Sequence, residues 1–102
     1  MGSPMKIRAT LNGDLTEIKV LMRHDMETGQ RRENGALVPA WHIQEVSVNV
    51  GGKLALKAEW GPAISKDPFL SLKVKGAAKG DTVAVTWLDN KGDSRSDETK
   101  VI

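Results

Sequence analysis

The sequence predicts an all-β domain, an immunoglobulin-like antiparallel β-sandwich of about seven strands, and three observations lead there. Over residues 46–60 apolar and polar side chains alternate with a period of two on both sides of Gly51-Gly52, the pattern of a hairpin with one apolar face. Turn clusters of Gly, Pro, Asn and Asp recur at intervals of about 8 to 12 residues. No segment carries a helical period over a helix-sized window. Two strands alone are marginal in water, so the apolar face of the central hairpin requires a second layer from the rest of the chain.

Residues 6–11 form a short strand closed by the turn cluster Asn12-Gly13-Asp14. Over 16–24, Ile18, Val20 and Met22 share one face and Glu17, Lys19 and Arg23 the other, with Leu21 an apolar exception on the polar face. Residues 29–35 are polar and turn-prone, an exposed loop between two long strands. The strand over 40–50 changes phase: Trp41 and Ile43 are odd-numbered, whereas from Val46 the even positions are apolar. Because a one-residue shift flips every side chain, either a bulge lies near Gln44-Glu45 or Trp41 and Ile43 face away from the core. Gly61-Pro62 ends the hairpin, since Pro cannot donate to a ladder. Residues 69–74 alternate through Leu70, Leu72 and Val74, and 82–88 through Val83, Val85 and Trp87. Residues 89–93 make a short hairpin loop. The polar strand over 94–101 is an edge defended by Arg95, Asp97, Glu98 and Lys100. The expected core is Ile18, Val20, Val46, Val48, Leu56, Trp60, Leu72, Val83, Val85 and Trp87, with the indole N–H of Trp60 and Trp87 satisfied.

The chain of 102 residues holds one core. Met1-Gly2-Ser3-Pro4 reads as a cloning remnant before a second start at Met5, leaving a single domain over 5–102. A formal charge of +2, with signs mixed along the chain, implies neither a nucleic-acid nor a membrane partner. The absence of cysteine removes disulfides, thiolate catalysis and cysteine metal sites. No charged-then-apolar signal segment precedes the domain, as expected of a cytoplasmic chain or of one exported with a signal-bearing partner.

The residues carry little chemistry. There is no G-x-S-x-G elbow, and the serines lack a neighbouring base. His24, Asp25, Glu27 and His42 could meet if their strands are neighbours, and two imidazoles with a carboxylate can ligate zinc. The spacing fits no metal motif, and structural histidines are the more ordinary reading, so no metal, cofactor or catalytic residue is expected. G-A-A-K-G-D leads into a strand, not the helix N-terminus on which a phosphate loop relies. Lys73, Lys75 and Lys79 form a basic cluster without interleaved aromatics, read as a solvated strand end.

Several stretches in order carry a resemblance: the run from His24 to Gly29, the Gln30-Arg31-Arg32 loop, Leu37-Val38-Pro39-Ala40, the run from Trp60 to Phe69, and Thr86-Trp87 with the turn after it. Together they resemble the SoxZ family, small subunits of the SoxYZ sulfur-carrier complex of bacterial thiosulfate oxidation, over nearly the whole domain. Many relatives have Pro after the histidine, where this chain has Asp25. The resemblance implies an immunoglobulin-like, non-catalytic scaffold that binds SoxY, whose Gly-rich C-terminal arm bears the reactive cysteine, and through SoxY meets other sulfur-oxidation enzymes. It also implies a periplasmic location, reached by export with a signal-bearing SoxY.

If Trp41 and Ile43 face away from the core, they join Leu21 in an apolar patch with Met22, His24 and Met26 at its margin. Such a patch marks an interaction site. It is the expected seat of SoxY, and a surface through which the isolated chain would form a homodimer. An immunoglobulin-like binding or adhesion module using Trp41 as a platform is the alternative.

Overall fold

The alternations fold as strands, and the turn clusters separate them. The structure, a computed structural model, describes residues 2–102. In chain order the strands are β1 (Lys6–Asn12), β2 (Leu15–Leu21), β3 (Arg32–Glu33), β4 (Ala36–Leu37), β5 (Ile43–Val50), β6 (Lys53–Glu59), β7 (Phe69–Lys75), β8 (Thr82–Asp89) and β9 (Ser94–Lys100). All pairings are antiparallel, in a sheet of order β1-β2-β7 and a sheet of order β6-β5-β8-β9. Gly51 and Gly52, at φ 59° and 84°, take the left-handed conformations that a two-residue hairpin between β5 and β6 demands.

The facing sides of the sheets make the core. Ala9, Ile18, Val20 and Met22 come from one sheet or its end, and Val46, Val48, Val83, Val85 and Trp87 from the other. Seven of the ten expected core residues are buried. Leu56, Trp60 and Leu72 are only half-buried and pack against the core from its side.

The phase change before Val46 is a bulge. Register along β5 and β8 shifts between Ile43 and Glu45, which restores the inward direction for an odd-numbered residue. Ile43 is therefore fully buried, correcting the expectation that it lies on an outer apolar patch. Met22 and Met26 are buried too, at 0% and 4% exposure.

The stretch over 29–35 is more ordered than a loop. Backbone hydrogen bonds pair Glu27 with Trp41 and Arg31 with Val38, and β3 pairs with β4 around Asn34-Gly35. Asn34 and Gly35 both have positive φ, 51° and 79°, as a tight turn needs. The result is a hairpin arm, exposed from Arg31 to Leu37.

One side of the sandwich is closed. β1 lies against β9, Leu11 N–H donates to the Ile102 carbonyl and Ile102 N–H to that of Ala9. Met5 N–H donates to Asp97, itself held by Arg95. On the opposite side lie β6 and β7, each the edge of its own sheet.

Candidate functional site

The residues singled out for chemistry gather at one end, around His24. Its Nδ1 accepts the Met26 N–H at 3.0 Å, so the proton sits on Nε2, which donates to Asp89 Oδ2 at 3.0 Å. Trp41 Nε1 donates to the same oxygen at 2.8 Å, and the backbone N–H groups of Lys91 and Asp93 donate to Oδ1. Both nitrogens of the imidazole and both oxygens of the carboxylate are thereby engaged. Burial pushes the Asp89 carboxyl up, but the bonds from His24, Trp41, Asp93 and Lys91 together outweigh it and hold the group below its usual range.

The backbone completes the tie. His24 N–H donates to Asp67 Oδ1, Asp67 N–H to the His24 carbonyl, and Met22 N–H to the Pro68 carbonyl. The His24 ring sits edge-on to Trp41 and Trp87, with centroids 4.9 and 5.2 Å away. His24 thus pins the arm, the connection before β7 and the β8–β9 turn to one another. Met26 and Asp67, in left-handed conformations at φ 52°, are held by these bonds.

This geometry favours a structural role. A general base needs a free lone pair within reach of substrate, and the lone pair of His24 already accepts from Met26. His42 Nδ1 is turned to the Ile43 carbonyl at 3.0 Å. Among the described residues no group of three or more His, Cys, Asp or Glu could hold a metal ion. A cleft of about 420 Å³ beside the cluster is lined by Arg23, Lys66 and Trp41 among others, with Gly2 and Ser3 forming part of its wall. The Trp87 Nε1 and Thr16 Oγ1 atoms are buried with no hydrogen-bond partner among the described residues, so the expected satisfaction of Trp87 is not met.

The six residues expected on a partner surface do not form one. Ile43, Met22 and Met26 are core, His24 is 6% exposed, Trp41 is half-buried against Asp89, and Leu21 alone is well exposed, on the outer side of β2. The bulge explains Ile43, and the hydrogen-bonded turn at His24 folds Met26 inward to accept the Ile43 N–H on its sulfur.

A different surface offers itself. On the open side of the sandwich, Leu56 and Trp60 from β6 and its end, and Leu70, Leu72 and Val74 from β7, turn toward the core yet stay half-buried. Both strands also carry the unpaired backbone groups of a sheet edge. Apolar side chains that begin a core without finishing it, beside free ladder groups, suit a partner's strand or loop. In the sequence Leu56, Trp60 and Leu72 read as core positions, and Leu70 and Val74 only as part of an alternating strand.

Comparison with known proteins adds the following. The profile of the family described as sulphur oxidation protein SoxZ matches residues 5–100. No curated protein sequence matches the chain. Among solved structures, that of hypothetical protein PH1083 from Pyrococcus horikoshii OT3 is similar, with a TM-score of 0.67 at 17% identity over 98% of this chain and 88% of that one; at that identity the likeness concerns the fold.

Proposed function

We propose that this chain, which belongs to the sulphur oxidation protein SoxZ family, is the non-catalytic scaffold of a sulfur carrier and binds a SoxY-like subunit across the seam between β6 and β7. With no cysteine in its sequence it lacks the thiolate on which a sulfur intermediate could ride, so the partner's cysteine arm carries the cargo. The pair works in the periplasm, and the partner's signal directs export of both.

The observation that carries the reading is the half-buried row Leu56, Trp60, Leu70, Leu72 and Val74 on one open side of the sandwich. A stable complex buries about 1,200 Å² or more in total, and a partner strand laid on either edge would add ladder hydrogen bonds to this apolar contact. Titration of the SoxY-like subunit against wild type, Trp60→Ala and Leu72→Ala tests it. Each truncation is expected to weaken the complex by about 2 kcal/mol, about 30-fold in Kd, if these side chains are anchors. Wild-type affinity in both variants, each still folded, would move the interface elsewhere. Absence of any complex with wild type would favour an immunoglobulin-like module with another partner.

A further inference from the structure

The outer face of the three-stranded sheet is segregated by charge. The registers of β1, β2 and β7 place Lys6, Leu21 and Phe69 in one cross-strand row, with Arg8 and Lys19 in the next and Lys73 and Lys75 in the rows beyond. Five basic side chains thus share a face with one acidic residue, Glu17, which pairs with Lys19 at 3.3 Å. The face therefore has a net charge of about +4, against +2 for the whole chain. At its end Leu21 and Phe69, 37% and 60% exposed, are paired neighbours and make a small apolar anchor.

We propose that this face docks an acidic protein surface, that of an enzyme acting on the sulfur held by the carrier. The proposal rests on the reading of the chain as a carrier scaffold. Charge of one sign around an apolar pair is the composition of a steered protein contact. A single-stranded nucleic acid would need a run of stacking aromatics, and Phe69 stands alone here. Three strands about 4.8 Å apart and seven residues long span about 14 by 23 Å, which suits a transient encounter better than a permanent interface. In β7, Ser71, Lys73 and Lys75 point to this face while Leu70, Leu72 and Val74 point to the seam, so the two surfaces can be occupied together.

The experiment titrates the assembled carrier with each purified enzyme of the same sulfur-oxidation system, using wild type, the triple variant Arg8→Glu/Lys19→Glu/Lys73→Glu and the neutralised pair Lys19→Gln/Lys73→Gln. Wild-type affinity for at least one enzyme is expected to fall about tenfold or more between about 50 and 300 mM salt. The triple variant is expected to lose at least tenfold at low salt, and the pair to lose less. Unchanged affinity for every enzyme in the triple variant, with circular dichroism showing it folded, would overturn the proposal. So would tighter wild-type binding to a DNA duplex than to any of the enzymes, or loss of the SoxY-like subunit from both variants, which would make this face that subunit's seat. Assembly is read first by size exclusion, so failure of wild type to hold the SoxY-like subunit is seen separately and contradicts the scaffold reading alone. The same titration is then run on this chain by itself.

Discussion

Asp89 is the residue on which one end of the molecule depends. Its carboxylate accepts from His24, Trp41 and two backbone N–H groups and is 2% exposed. Asp89→Asn keeps the shape but points an NH₂ group at a donor on one side or the other, and an unsatisfied buried pair of this kind costs about 2–3 kcal/mol. A drop of that size in urea-derived stability is expected, without loss of the β-sheet circular dichroism signal. Acid should act through the same group. The folded-state values of Asp89 and Asp97 lie below the usual range, so the stability they contribute is fully present above the unfolded carboxylate value of about 4 and is lost as pH falls through the folded values. The urea midpoint should fall between pH 7 and pH 3, and fall less in Asp89→Asn; an equal fall in both proteins would remove Asp89 from the account. A structural role for His24 is legible in the sequence as the ordinary reading of its two histidines. Its partner is not, because Asp89 lies 65 positions away and no local pattern links them.

At the scale of elements, strand existence was readable because each long strand except the polar β9 alternates and each break carries Gly, Pro, Asn or Asp. The bulge was readable as a change of parity, but parity alone left two outcomes open, and the backbone register between Ile43 and Glu45 decides between them. Ile43→Ala is therefore expected to destabilise the fold by about 2–4 kcal/mol, the cost of a cavity in the core, while folded molecules keep their affinity for the partner. Near-wild-type stability would return Ile43 to the surface. The seam was invisible for a physical reason: alternation reports the direction in which Leu56, Leu72 and Trp60 point, not whether the opposite sheet reaches them. The arm over 27–41 was hidden differently, since its pairing rests on the Glu27–Trp41 bridge and the bonds from Arg31 to Glu27 and not on an apolar stripe.

The whole molecule is asymmetric in two ways that the linear sequence conceals. Its charges look mixed along the chain, yet β7, distant in sequence from the consecutive strands β1 and β2, brings its basic side chains to the same face as theirs. Its sandwich is closed where β1 meets β9 and the C-terminal residues, and unfinished where β6 and β7 end the two sheets. The family and the open seam together make the central claim that this is a scaffold subunit completed by its partner. Hydrogen–deuterium exchange of the chain, free and with the SoxY-like subunit, tests it most directly. Protection gained on binding is expected to concentrate in β6 and β7, at residues 53–59 and 69–75. Protection confined to the arm, the His24 end or the outer face of β1 and β2, with β6 and β7 unchanged, would contradict it.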